Sequence, residues 1–146
     1  MKHVRIIEKY LNVNIVTPYL LCQHFSKSMR KKNKGNILNI SSISVKHGGS
    51  LNSAFYTITK SAIEQMTKTL SKDYAKNNIN VNSFRIGMVN TKFHLKNPYK
   101  NITEREKLIP LKRLASPEEI AKIIFNYTRP DFNYVTGAVV EITGGE

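Results

Sequence analysis

An α/β fold with a parallel sheet covered on both faces is what this sequence predicts, and three observations carry that expectation. Short apolar runs alternate with segments of helical period in the order helix, strand, helix, strand, helix, strand. Helices between strands require crossover connections, which make neighbouring strands parallel. The 146 residues suit one domain, and apolar residues at 40% are too many for a disordered chain and enough for a core.

The elements follow in order. From Val4 to about Met29 the period is helical, with Leu11, Ile15, Pro18, Cys22, Phe25 and Met29 forming one apolar stripe. Pro18 removes a backbone donor, so a kink or irregular turn is expected near Asn14. Gly35 is expected to break the helix, and Asn36–Ile40 reads as a short buried strand. Residues 43–52, with Gly48-Gly49, read as a loop. A second helix is predicted over Ser53–Lys76, then a turn at Asn77-Asn78 and a strand over Ile79–Phe84. Thr103-Glu104-Arg105-Glu106 and Ser116-Pro117-Glu118-Glu119 both match a capping box, and the second adds proline at the first helical position. That last helix should run to about Thr128, before Pro130, and Ala138–Ile142 reads as the final strand.

Composition narrows the function classes. The lone Cys22 can make neither an internal disulfide nor a cysteine-rich zinc site. No apolar run approaches the ~20 residues of a membrane span, and the Met1-Lys2-His3-Val4 start lacks a signal-peptide core. A reduced, soluble, cytoplasmic domain is the expectation, with no metal and no membrane partner. The net charge of +13 is mostly lysine, accompanied by fifteen asparagines, a general bias rather than a designed surface. Its densest cluster, Met29–Lys34, lies where a helix ends, and cations there suit the helix dipole. No zinc-finger spacing or aromatic-rich RNA-binding strand accompanies it, so the reading is no nucleic-acid partner, with a basic nucleic-acid-binding domain kept as an alternative.

The chemistry centres on Tyr56 and Lys60, four apart on a predicted helix and so on one face. A free phenol titrates near ~10. A neighbouring ammonium stabilises the phenolate, and bringing a phenol to ~7 requires about 4 kcal/mol, within reach of a close, partly desolvated cation. Such a tyrosine can protonate a carbonyl oxygen or deprotonate an alcohol. The pair alone carries little weight, because a chain this rich in lysine makes about one such spacing by chance.

Its surroundings carry more. Gly35-Asn36-Ile37-Leu38-Asn39-Ile40-Ser41-Ser42 is a strand ending in paired serines, fourteen residues before Tyr56. After the helix come Ile79–Thr91, Pro110-Leu111-Lys112-Arg113-Leu114, Ser116–Ala121, and Val135-Thr136-Gly137 ahead of Gly144-Gly145. As an ordered set, these segments resemble the short-chain dehydrogenase/reductase family over nearly the whole chain.

The resemblance implies a partial Rossmann-type, doubly wound parallel sheet, the second half of that family's domain, with residues 1–146 as one incomplete catalytic domain. It implies an NAD(P)-dependent oxidoreductase acting on a small-molecule carbonyl or secondary alcohol. Tyr56 matches the catalytic acid/base. Lys60 matches the lysine that lowers the phenol pKa and holds the nicotinamide ribose. Ser42 matches the serine that hydrogen-bonds the reacting oxygen, against loop or helix capping as the plainer reading of the two serines. Asn14 matches the asparagine at a helix irregularity that holds a proton-relay water. Gly87, Val89 and Thr91 match the loop along the nicotinamide, with NAD or NADP as cofactor. Residues 92–111 would form the substrate-side loop, whose cations fit an anionic substrate or simply reflect the lysine bias.

There are departures. Ile86-Gly87 stands where the family usually has Pro-Gly, Thr59 where it usually has Ser, and Thr143 where it usually has Asp. None of the glycines forms Gly-x-Gly-x-x-Gly, so these residues supply no backbone cradle for a pyrophosphate. The expectation is a truncated chain, inactive alone and a poor monomer, whose complete form is a homo-oligomer. The competing expectation is a non-catalytic interaction module that pairs with a full-length family member through its long helices.

Overall fold

The computed structural model describes residues 2–92 and 101–146. Helix α1 (Lys2–Leu11) runs through one π-helical turn, Asn12–Val16, into α2 (Thr17–Lys32). Strand β1 (Gly35–Ser42) follows, then the short α3 (Ser44–His47), the long α4 (Ala54–Tyr74) and β2 (Ile79–Ile86). Helices α5 (Ile102–Leu108) and α6 (Pro117–Tyr127) precede β3 (Val139–Ile142). The sheet is parallel throughout in the order β1-β2-β3, as the alternation of elements predicts.

Period-2 alternation assigns the faces. From β2, Ile79 and Val81 join Leu70 and Tyr74 of α4 and Cys22 of α2 in the main core. Phe84, an odd number of residues beyond both, faces the opposite side, where its ring meets Tyr127 of α6 edge-on at 5.0 Å between centroids. One layer of helices therefore covers each face, α2 and α4 on one side and α6 on the other. A smaller core of Met88, Ile109 and Leu114 closes the carboxyl ends of the strands.

Local chemistry explains the boundaries. Pro18 has no N–H to offer four residues back, and the Thr17 N–H bonds instead to the Asn12 carbonyl five residues back. The irregular turn expected at Asn14 is thus a π-turn. It rotates the apolar stripe, so that Cys22 is buried while Leu11 and Phe25 stand exposed, contrary to a single continuous stripe. The helix end also differs from expectation. Asn33, left-handed at φ 48°, terminates α2, and its N–H bonds to the Arg30 carbonyl. Gly35 is instead needed for space, since a Cβ there would lie 2.5 Å from the Met29 sulfur.

The capping box at Ser116 forms as predicted: Glu119 N–H donates to Ser116 Oγ, and Ser116 N–H donates to the Glu119 carboxylate. The one at Thr103 does not form. Asn101 caps α5 by accepting from the Glu104 N–H, so the helix already begins at Ile102 and Thr103 lies inside its first turn, where it cannot serve as the cap. Residues 43–52, expected as loop, contain α3 and a 3-10 turn over Leu51–Ser53, the latter closed by a Ser50–Ser53 capping box.

Two apolar surfaces remain open among the described residues. Strand β1 pairs only with β2, leaving its other edge without a strand, and Ile40 near its end is 39% exposed. On α2, Leu20, Leu21 and Phe25 are each about half exposed.

Candidate active site

Helix α4 places Tyr56 and Lys60 on one face, with the Lys60 ammonium 5.7 Å from the centroid of the Tyr56 ring. The Tyr56 ring is also met edge-on by Tyr10 of α1, at 6.3 Å between centroids. Lys60 Nζ donates to the Ile40 carbonyl at 2.8 Å, which ties α4 to the end of β1 two residues before Ser42. Burial pushes the Lys60 ammonium below its ordinary pKa, because a half-buried cation loses hydration that one carbonyl only partly replaces. An ammonium carries three donors, so two remain for other acceptors. No hydrogen bond among the described residues uses the Tyr56 hydroxyl.

Ser42 ends β1, and its Oγ accepts from the Ser44 N–H at 3.2 Å, capping the turn into α3. Accepting leaves the Ser42 O–H proton available for donation. Its neighbour Ser41 points to the other face and donates to Glu64 of α4 at 2.6 Å. Alternation of the strand thus separates the two serines that the sequence presents as a pair.

Asn14 sits in the π-turn and donates through Nδ2 to Thr59 Oγ1 at 3.0 Å, while the Thr59 hydroxyl donates to the Tyr56 carbonyl at 2.7 Å. The π-turn is therefore fastened to α4 between Tyr56 and Lys60. Register brings the end of β2 beside the end of β1: Ser42 lies opposite Ile86, and the Ile43 N–H donates to the Ile86 carbonyl at 2.9 Å. Gly87 follows, its N–H on the Ile142 carbonyl at 2.9 Å. A Cβ at Gly87 would come within 3.0 Å of the Thr143 Cα, so close approach of two backbones explains the glycine.

Val89 makes a parallel bridge with Ala115, whose hydrogen bonds use the Met88 carbonyl and the Asn90 N–H. Val89's own N–H and C=O consequently face the other way. Thr91 is half-buried. Asn14, Tyr56 and Lys60 are thus joined through α4, and Ser42 and Gly87 adjoin at the strand ends. No hydrogen bond among the described residues joins Val89 or Thr91 to Tyr56. Of the loop expected over 92–111, residues 93–100, including His94 and Lys96, lie outside the described residues.

The donor set fits the ribose and nicotinamide end of a dinucleotide: a half-buried ammonium with donors to spare, a phenol with no hydrogen-bond partner among the described residues, and an outward-facing backbone at Val89. Nothing in the chain's sequence offers the glycine-rich turn that a pyrophosphate requires. No group of three or more His, Cys, Asp or Glu among the described residues is placed to hold a metal ion. No helix among them is long and apolar enough to cross a membrane.

Sequence reasoning did not find the charged row beneath this site, where Glu64 of α4, Arg85 of β2 and Glu141 of β3 are ion-paired. An arginine inside an otherwise apolar and small-residue strand was the available signal.

Known proteins resemble this chain in sequence and in fold. The family model described as "Enoyl-(Acyl carrier protein) reductase" matches residues 4–146. The 3-oxoacyl-[acyl-carrier-protein] reductase FabG of Aquifex aeolicus is 33% identical over 144 residues, covering 94% of this chain and 55% of that protein. The human (3R)-3-hydroxyacyl-CoA dehydrogenase is 30% identical over 139 residues, covering 94% of this chain and 53% of its own length. Among solved structures, a 3-oxoacyl-[acyl-carrier protein] reductase from Brucella melitensis superposes with a TM-score of 0.90 at 28% identity, over 97% of this chain and 53% of that one. A Serratia marcescens short-chain dehydrogenase/reductase gives a TM-score of 0.89 at 26% identity, over 97% and 56%. The chain spans about half the length of the curated relatives it matches.

Proposed function

The chain belongs to the short-chain dehydrogenase/reductase family, and from that premise we propose that it is the catalytic part of an NAD(P)-dependent oxidoreductase acting on a carbonyl or secondary alcohol. The observation that carries the reading is the Lys60 ammonium, half-buried, 5.7 Å from the Tyr56 ring centre on the same helix face. When bound, the dinucleotide supplies or accepts hydride at its nicotinamide. Tyr56 moves the proton at the substrate oxygen, donating it during reduction and taking it during oxidation. The Lys60 charge favours the phenolate that remains, and the phenolate in turn offsets the cost of burying that charge. Lys60 also offers its remaining donors to the ribose hydroxyls.

Ser42 donates its O–H to the same substrate oxygen and fixes its direction toward the phenol. Asn14, at the π-turn, holds the water through which the proton reaches solvent. Val89 meets the carboxamide through its outward backbone, with Thr91 beside it. Gly87 lets that segment approach β3 closely. Substrate charge would be read by residues of the 92–111 segment.

The test supplies the dinucleotide-binding half of a relative to this chain and compares variants. Lys60→Ala should lower both dinucleotide affinity and turnover, whereas Ser42→Ala should lower turnover by about 100-fold or more with affinity nearly unchanged. Equal effects of both on affinity would count against these assignments.

A second reading is favoured by the unpaired β1 edge and the exposed Leu20, Leu21 and Phe25. In it, the chain is an interaction module that pairs with a full-length member of its family, as open edges and apolar helix faces promote. Co-purification with such a protein, and no turnover in the pair beyond that of the full-length member, would distinguish it.

A further inference from the structure

The candidate site rests on the carboxyl ends of β1 and β2, and one side chain ties both to the helix above them. Arg85 of β2 stands in register between Ser41 of β1 and Glu141 of β3. Its Nε and Nη2 donate to the two oxygens of the Glu64 carboxylate at 3.0 and 2.7 Å, a planar fork, and its Nη1 reaches Glu141. Ser41 donates to the same Glu64 oxygen that accepts from Nε, and Lys46 of α3 completes Glu141 at 3.1 Å. The Glu64 and Arg85 side chains are only 9% and 17% exposed, so water has little access to the pair.

The placement matters more than the pairing. Glu64 lies one turn beyond Lys60 on α4, and Arg85 lies two residues before Gly87. A buried ion pair is seldom more stabilising than apolar side chains of the same volume, so net stability does not explain it. A guanidinium fork on a carboxylate fixes direction and distance together, which apolar packing does not. The segment that follows needs such a constraint. Ile86 leaves φ free where a proline would fix it, and the bonds Ile43 N–H to Ile86 O and Gly87 N–H to Ile142 O hold only while the end of β2 keeps its register.

We propose that Arg85 is a positioning residue: its fork on Glu64 holds the Ile86–Gly87 segment at the end of β2 in register with the helix that carries Tyr56 and Lys60. The inference rests on the reading of that helix as catalytic, but its test uses no turnover, so either can fail without the other.

The test is amide hydrogen exchange read by mass spectrometry on the purified chain, in whatever assembly it purifies. Two sensors are the Ile43 and Gly87 amides. Two references with bonds on the same strand are the Ser83 amide, bonded to the Ala138 carbonyl, and the Gly137 amide, which lies just before β3 and bonds to the Val81 carbonyl of β2. Arg85→Lys keeps the charge and loses the fork. The double variant Glu64→Leu/Arg85→Met removes both charges and keeps the bulk. Each should speed exchange at Ile43 and Gly87 by about 10-fold relative to the references, the difference a loss of local protection makes. A uniform change across all four amides, including complete loss of protection, would make the network merely structural and overturn the proposal, as would no change at all.

Discussion

The Asn14 side-chain amide donates to the Thr59 hydroxyl at 3.0 Å, and that single bond fastens the π-turn of the first helical arm to the helix of Tyr56 and Lys60. Thr59 is fully buried and passes the connection on by donating to the Tyr56 carbonyl. The irregular turn and the acid/base pair are therefore one assembly rather than two neighbouring features.

Thr59→Val keeps the volume and removes the acceptor, leaving a partly buried amide donor without its partner. The expected cost is about 1–3 kcal/mol, read as a lower denaturation midpoint with an unchanged denaturant slope. Thr59→Ser restores the hydroxyl and should recover most of it.

The Arg113 guanidinium and the Ser116 N–H hold the Glu119 carboxyl down at about 2, from an ordinary value of 4.5. Its folded-state pKa is depressed, so the stabilisation it gives the start of α6 is present above pH 4.5 and is lost as the pH falls toward 2. A carbon-detected titration of Glu119 should show a midpoint near 2, and Arg113→Ala should return it toward 4.5. Both side chains are about half exposed, so added salt should weaken the effect.

By itself the chain should give no saturable calorimetric signal with NAD(H) or NADP(H) at millimolar ligand. Its residues supply the ribose and nicotinamide contacts but no glycine-rich turn for the pyrophosphate. The open β1 edge and the apolar face of α2 should make it associate, so its melting temperature should depend on protein concentration. A concentration-independent monomer melt raised by added dinucleotide would contradict this.

Much of the architecture was legible because it depends on local chemistry. Pro18 forecast an irregular turn at Asn14, and Ser116 with Glu119 forecast the start of α6. What escaped was decided by competition between neighbours or by distance along the chain. Asn101 displaced Thr103 as a cap, and Asn33 rather than Gly35 took the left-handed position that ends α2. Only the family resemblance distinguished Ser42 from Ser41 in the sequence, whereas in the structure the pleat turns Ser41 toward Glu64 and Ser42 toward α3. The Glu64–Arg85–Glu141 row joins three elements, and no spacing rule links residues so far apart in sequence.

The central claim is that Tyr56 moves the proton, and one substitution tests it most directly. With the dinucleotide-binding half supplied, nicotinamide absorbance during carbonyl reduction would be followed for the chain and for Tyr56→Phe. Loss of the hydroxyl should reduce turnover by about 100-fold to 10,000-fold while dinucleotide affinity stays nearly the same, because the ring and Lys60 remain. Turnover retained in Tyr56→Phe, against a parent chain that is active, would contradict the account.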